Sequence, residues 1–133
     1  MVLDTSVCVD LLREAGRGGQ GPATEAVGEL GDTRVYLSLF SLCELETGVQ
    51  LAARPSHEQT RLELLLQRLT VIYPDPGFSA LYAEAAAALI AAGRPIPVMD
   101  LLIGITAKAH SMPVLTRDAT HFARIPSLVV KSY

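Results

Sequence analysis

The chain has 133 residues, of which 50% are hydrophobic and 19% charged, with a formal net charge of −3 and a mean hydropathy of +0.33. This length suits a single domain, residues 1–133, and the apolar composition excludes a disordered chain. The longest apolar run (residues 85–92) is too short for a membrane span, no secretory signal opens the chain, and two cysteines without CxxC spacing fit a reducing compartment, so we expect a cytoplasmic protein.

Strand-like and helix-like segments alternate along the chain. Val2-Leu3 is a short apolar run that ends at Asp4, and helical spacing follows over residues 5–14. Composition and apolar spacing predict the remaining elements in this order: strand 34–38, helix 41–53, helix 57–69, strand 70–73, helix 79–92, helix 100–110, strand 113–116 and strand 128–130. The alternation predicts an α/β fold, with a short and mostly parallel central sheet and helices on both faces.

Four carboxylates stand close to the ends of predicted strands, where open parallel sheets bind their ligands. Asp4 and Asp118 follow strands, Asp100 opens a helix, and Glu44 lies near the start of the helix after strand 34–38. Each alone also has a structural interpretation. Asp4 and Asp100 would be N-caps, Glu44 would complete an S-x-x-E capping box, and Asp118 would start a turn.

Taken together, the four acids indicate a metal site. Neighbouring carboxylates repel one another unless a cation lies between them, and no Lys or Arg is placed to do so. Oxygen ligands favour Mg²⁺ or Mn²⁺. Zinc is disfavoured because the histidines show no paired zinc-ligand spacing with either cysteine. For His121, close to Asp118, both an acid–base role and a surface position remain open. A divalent cation here would activate water for phosphodiester hydrolysis.

The charge distribution is compatible with RNA despite the net negative charge. Residues 1–70 carry ten acidic and six basic side chains, whereas residues 71–133 carry four and five. If four acids are reserved for a metal, ten remain against eleven bases, so the rest of the surface is close to neutral. Arg94, Lys108 and Arg117 are candidate RNA contacts, although each alone would equally be solvated surface.

Short motifs follow one another in a defined order: residues 3–7 (LDTSV), 44–48 (ELETG), 93–96 (GRPI) leading into 100–103 (DLLI), and 116–118 (TRD) with Phe122. As a set they resemble the PIN domain and, more narrowly, the VapC-type toxins of bacterial toxin–antitoxin modules. The resemblance extends over essentially the whole chain. It implies a Mg²⁺- or Mn²⁺-dependent ribonuclease that cuts structured RNA, such as loops of tRNA or ribosomal RNA.

The resemblance also implies roles for particular residues and partners. Asp4, Glu44, Asp100 and Asp118 match the acidic quartet of the family and would be catalytic and metal-binding. The polar residues Thr5, Ser6 and Thr116 match positions that orient those acids or their waters. Similar toxins form homodimers and are silenced by a VapB-like antitoxin, in heterotetramers or larger complexes. The alternatives are an RNA-processing PIN nuclease without an antitoxin and a catalytically silent module that binds RNA or protein.

Two features depart from the family pattern. Gly104 stands within a predicted helix where the family more often has alanine, at a cost of about 1 kcal/mol in helix propensity. The Gly-rich segment 16–22 lacks the GK[ST] ending of a phosphate-binding loop, so we interpret it as a flexible surface connection. Neither feature changes the four acids. We expect segment 16–22, however, to alter the shape of the groove beside the first helix and therefore the choice of substrate.

Overall fold

A computed structural model describes residues 1–133, and five parallel strands form one sheet in the order β3-β2-β1-β4-β5. The strands are β1 Val2–Leu3, β2 Tyr36–Ser38, β3 Thr70–Ile72, β4 Val114–Thr116 and β5 Val130–Ser132. The helices are α1 Thr5–Ala15, α2 Pro22–Gly28, α3 Leu39–Gln50, α4 Pro55–Leu66, α5 Phe78–Ala91 and α6 Val98–Ala109, with a 3₁₀ turn at Phe122–Arg124. The predicted α/β fold is confirmed, and no helix is long and apolar enough to cross a membrane.

Alternation along the central strands divides the core between the two faces of the sheet. Val2 and Val114 pack on one face, in a cluster with α5, α6 and the 3₁₀ turn. Leu3 and Leu115 pack on the other face, in a cluster with α1, α3 and α4. Neighbouring side chains of a strand point to opposite faces of the sheet, so β1 and β4 each contribute one residue to either cluster. As a result, β1 is covered by side chains on both faces. The position of Asp4, which directly follows this strand, is therefore fixed.

Most observed elements begin and end within three residues of the predicted bounds, and three differences stand out. Helix α3 begins at Leu39 rather than residue 41, because the Ser38 hydroxyl accepts the Ser41 amide at 2.9 Å and acts as the N-cap. The predicted capping box ending at Glu44 is therefore wrong. The last strand is Val130–Ser132 rather than 128–130, because pairing with β4 begins at Val130. Helix α2 was not predicted.

Gly104 has a packing explanation. It is buried in α6, and a Cβ added there would overlap the Ile125 side chain and lie 3.3 Å from that of Leu128. The absent side chain allows the segment after the 3₁₀ turn to approach α6 closely, which offsets the unfavourable helix propensity. The cysteines carry no disulfide. Cys8 is buried, whereas Cys43 is exposed.

Helix α2 is held by a carboxylate from the end of α1. Glu14 accepts the backbone amides of Ala23 and Thr24 at 3.0 and 2.8 Å and the Thr24 hydroxyl at 2.7 Å. These are N-terminal amides of α2, which have no acceptor within the helix. A Cβ at Gly21 would overlap the Glu14 carboxyl group, so glycine is required beside this cap. The exposed loop between α1 and α2 is therefore closed at its base.

This cap predicts a pH-dependent contribution to stability. Desolvation raises the pKa of Glu14, but the hydrogen bonds from Thr24 and Ala23 outweigh it and hold the pKa below its usual range. The contribution is therefore present above the ordinary glutamate pKa of about 4.3 and is lost as pH falls through the lowered value. We expect Glu14→Gln to reduce the free energy of unfolding by about 1 kcal/mol near neutral pH, and by less in acid.

Urea unfolding near neutral pH and below the glutamate pKa checks this expectation. Glu29→Gln, at an exposed position just after α2, is the matched control and should change stability little at either pH. An equal loss in the Glu14 variant at both pH values would contradict a role for the ionised carboxylate.

Candidate active site

The four candidate acids lie around the carboxyl edge of the sheet. Asp4 follows β1, the central strand, and Asp118 comes two residues after β4. Glu44 lies in the second turn of α3, the helix that starts directly after β2, and Asp100 lies in the first turn of α6. The predicted placement at one edge follows from parallel strands that all end on the same side.

Asp4 is the most constrained of the four. It is 7% exposed and occupies the N-cap position of α1, yet its side chain makes no capping hydrogen bond. Instead, the hydroxyls of Ser6 and Thr116 donate to the same carboxylate oxygen, Oδ2, at 2.6 and 2.8 Å. Oδ1 accepts no hydrogen bond, and no fully buried side-chain polar atom is left without a partner, so Oδ1 retains access to solvent. One oxygen is thus fixed and the other is free for a ligand.

Glu44 is connected to Asp4 through the neighbouring residue. The Thr5 hydroxyl donates to Glu44 Oε2 at 2.5 Å, which joins α3 to the start of α1. Thr5 therefore orients one candidate acid, while Ser6 and Thr116 orient another. Thr5, Ser6 and Thr116 thus each donate a hydrogen bond to one of the candidate acids.

Asp100 is bonded to a histidine that the sequence analysis did not connect with it. His121 Nδ1 lies 2.6 Å from Asp100 Oδ2, and both side chains are about one-third exposed, at 37% and 28%. The two residues are 21 positions apart and meet only because the 3₁₀ turn packs against α6. No local sequence signal carries this contact, although the three-residue spacing from Asp118 placed His121 near the same edge.

Asp118 is the most exposed of the four acids. Its Oδ1 accepts the Thr120 amide at 2.9 Å, so the predicted turn-forming role is present. The hydrogen bonding of Thr120 holds the pKa of Asp118 below its usual range, and the nearby His121 and Arg117 act in the same direction. Asp118 is thus kept ionised beside the site.

The acids share an edge, but their side chains do not meet. Among residues 1–133, no three Asp, Glu, His or Cys side chains lie close enough together to hold a metal ion, whereas convergence within a few ångströms was expected. The physical reason is mutual repulsion, which each carboxylate avoids by turning to a hydroxyl, amide or imidazole donor. The donor chemistry nevertheless fits a hard divalent cation, because Asp4 Oδ1 is a solvent-accessible carboxylate oxygen and the other candidate residues at this edge are also carboxylates.

The candidate RNA contacts are spread unequally. The Arg117 amide donates to Ser6 Oγ at 3.2 Å, so this residue adjoins Asp4, while its guanidinium group bonds Asp10. Arg94 is exposed in a loop whose Pro95 carbonyl accepts a hydrogen bond from Arg124 at 3.4 Å. Lys108 lies in the last turn of α6, two turns from Asp100, and is not brought to the site.

An apolar groove runs along the helical face next to Glu44. It has a volume of about 240 Å³ and lies between α1, α3 and α4. Its floor contains Leu12, Leu45 and Leu62, and charged side chains including Glu44 and Arg61 stand at its rim. The groove therefore offers an apolar surface that ends at one of the candidate acids.

Known proteins resemble this chain over nearly its full length. The family model of the PIN domain matches residues 1–128. Ribonuclease VapC4 of Mycobacterium tuberculosis is 33% identical over 96 residues, which cover 71% of this chain and 73% of that protein. Ribonuclease VapC2 of Rickettsia felis is 29% identical over 99 residues, covering 74% of each.

Solved structures agree with the sequence matches. VapBC2 from Rickettsia felis, bound to a DNA fragment from its promoter, superposes with a TM-score of 0.90 at 26% identity, covering 99% of this chain and 97% of that one. FitAcB from Neisseria gonorrhoeae superposes with a TM-score of 0.75 at 27% identity, covering 97% and 94%. Both the sequence and the fold thus point to one family.

Proposed function

Because the chain belongs to the PIN domain family, we propose that it is a Mg²⁺- or Mn²⁺-dependent endoribonuclease and the toxin of a VapBC-type pair. Relatives named as VapC ribonucleases and neighbours solved as VapBC and FitAB complexes support this proposal. We further propose that residues 1–133 act as one domain and that the target is structured RNA. A relative from Shigella flexneri, 21% identical, is a tRNA(fMet)-specific endonuclease.

The arrangement of Asp4 is the observation that carries the proposal. A nearly buried carboxylate is unfavourable unless it is paired or bound to a cation. Here two hydroxyls satisfy only Oδ2, and Oδ1 retains access to solvent. Such a half-satisfied carboxylate is suited to bind a ligand rather than only to stabilise the fold.

We assign roles to the residues around this carboxylate. Asp4, Glu44 and Asp100 would hold the cation, with Asp118 completing the site. When bound, the cation supplies Lewis-acid activation of water and offsets charge that develops on the phosphodiester. Ser6 and Thr116 fix the Asp4 carboxylate, and Thr5 fixes Glu44. His121 orients Asp100.

The partner we propose is a VapB-like antitoxin in the apolar groove between α1, α3 and α4. An inserted apolar segment would cover the groove floor and end beside Glu44, close enough to block the site. Toxin homodimers and their heterotetramers or larger assemblies belong to the same proposal. A small adjacent reading frame whose product restores growth would support the role as a toxin. Its absence would favour an RNA-processing nuclease.

Metal removal tests the enzymatic part. We expect purified protein to cut RNA in Mg²⁺ or Mn²⁺ and to stop in EDTA, and we expect Asp100→Asn to reduce cleavage by about 100-fold because a charged ligand is lost. Asp75→Asn, a substitution in the exposed turn before α5, is the matched control. A chain that binds RNA but shows neither cleavage nor Mn²⁺ binding by calorimetry would instead be the silent module.

A further inference from the structure

A second, strongly polar cavity opens beside the candidate active site. It has a volume of about 540 Å³ and lies between the end of α1, the loop before α2, the residue after β4, and Tyr133. Only one of its nine lining residues is hydrophobic. Three of the nine are arginines, Arg13, Arg17 and Arg117, so the cavity is suited to an anion rather than to an apolar ligand.

Asp10 organises the arginines on one wall. Arg117 Nη1 lies 3.0 Å from both of its carboxylate oxygens, and Arg13 Nη1 lies 3.5 Å from Oδ1. The Tyr133 hydroxyl donates to Oδ2 at 3.0 Å. The Asp10 side chain is only 16% exposed, so these partners largely cover it. A single carboxylate thus positions two guanidinium groups and compensates one of their two charges.

The second carboxylate that lines the cavity is committed elsewhere. Glu14 accepts the amides at the start of α2 and the Thr24 hydroxyl, and it forms no ion pair with the arginines. The Arg17 side chain lines the cavity and makes neither a hydrogen bond nor an ion pair within the chain, whereas its backbone amide donates to the Glu14 carbonyl at 2.9 Å. Counted over side chains, three arginines exceed the two carboxylates by one positive charge. The Arg17 guanidinium group is the donor that is left without an acceptor.

The cavity is linked to the candidate site through the Ser6 side chain. Ser6 Oγ donates to Asp4 and accepts the Arg117 amide, so one hydroxyl joins the two places. Along α1, Asp10 lies about 9 Å beyond Asp4 at 1.5 Å per residue. The backbone of a nucleic acid strand spans such a distance within a few nucleotides. A strand placed at Asp4 can therefore set one of its phosphates in the cavity.

We propose that this cavity binds a backbone phosphate of the RNA substrate a few nucleotides from the cleaved bond, with Arg17 and Arg117 as its donors. The inference rests on the proposed ribonuclease function. Asp10 and Tyr133 hold the Arg117 guanidinium group in place, whereas Arg17 is free to close on the phosphate. An acidic protein segment would find the same donors, and the test below separates the two ligands.

Binding is measured in the Asp4→Asn background, in which we expect RNA cleavage to be strongly reduced. Anisotropy of a fluorescein-labelled single-stranded RNA gives the dissociation constant at several salt concentrations. We expect Arg17→Ala to weaken binding about tenfold at low salt and to reduce the slope of log K against log salt by about 0.7, the value for one phosphate contact on a single strand. The Arg17 side chain has no hydrogen-bond partner that its removal would leave unsatisfied, so folding should be unaffected.

Arg68→Ala is the matched control, because it removes an equally exposed charge next to β3 at the opposite edge of the sheet. Equal affinities and slopes for the two variants would overturn the phosphate site while leaving the nuclease intact. Loss of binding to a poly-glutamate peptide, but not to RNA, would also overturn it and assign the cavity to a protein. Failure of every variant to bind RNA, the control included, would count against the proposed function itself.

Discussion

Asp4→Asn is expected to reduce RNA cleavage by about two to three orders of magnitude while leaving the fold intact. Asparagine keeps the size of the side chain and an oxygen that accepts from Ser6 and Thr116, but it removes the negative charge. Loss of one preorganised electrostatic group in a water-poor site typically costs this much in rate. The buried charge is also removed, so we expect thermal stability to stay constant or to rise.

Cleavage of a defined RNA in Mn²⁺ and thermal unfolding, measured on the same preparation, check both halves of this expectation. Asp32→Asn is the control, since Asp32 lies in an exposed turn and makes no side-chain contact with the site. Full cleavage by the Asp4 variant would remove Asp4 from the proposed machinery. Loss of both activity and fold would instead show that the carboxylate is needed for stability.

Phe122→Ala is expected to produce the largest loss of stability, about 3–5 kcal/mol in the free energy of unfolding. Phe122 is 2% exposed and is among the largest fully buried side chains in the chain. It anchors the 3₁₀ turn in the cluster that contains Val114 and Ile125. Because domains are stable by only about 5–15 kcal/mol, this one truncation removes a large share of the total.

Urea denaturation measures this loss, and Leu64→Ala provides the comparison. Leu64 is 58% exposed, so its truncation should cost no more than about 0.5 kcal/mol. Phe122→Leu, which keeps most of the volume, should fall between the two. We also expect the Asp100 side chain to be oriented less well in folded molecules of the Phe122→Ala variant. The reason is that its hydrogen-bond partner, His121, immediately precedes the truncated residue. A loss below about 1 kcal/mol would contradict this view of the turn.

Patterns with a local cause were predictable from the sequence. The apolar periods located most helices and strands, and the acids after strands located the edge where the candidate site lies. Local rules failed where two signals competed. Ser38 and Ser41 are both good N-caps, and only the end of β2 selects the first. Helix α2 has only seven residues and depends on Glu14 from another helix, so apolar spacing within it did not predict it.

Contacts between segments that are far apart in the chain could not be predicted from the sequence. His121 meets Asp100 because the 3₁₀ turn packs against α6, and Arg117 meets Asp10 from 107 positions away because β4 packs against α1. Sequence reasoning placed His121 near Asp118 and treated Arg117 as a candidate RNA contact or a solvated surface charge, without a partner in the chain. It also expected four converging carboxylates, since it had no means of seeing that each would find its own donor. The pairing of charges is a property of the tertiary fold.

The position of β1 has a consequence for how the protein is made. Its two neighbours in the sheet are β2, from the first third of the chain, and β4, which begins at residue 114. Thr116 reaches Asp4 across 112 positions. During synthesis, a nascent chain therefore lacks the Thr116 hydroxyl that fixes Asp4 until β4 has left the ribosome. If the proposed nuclease function holds, a chain that stops before β4 would be unable to orient this carboxylate.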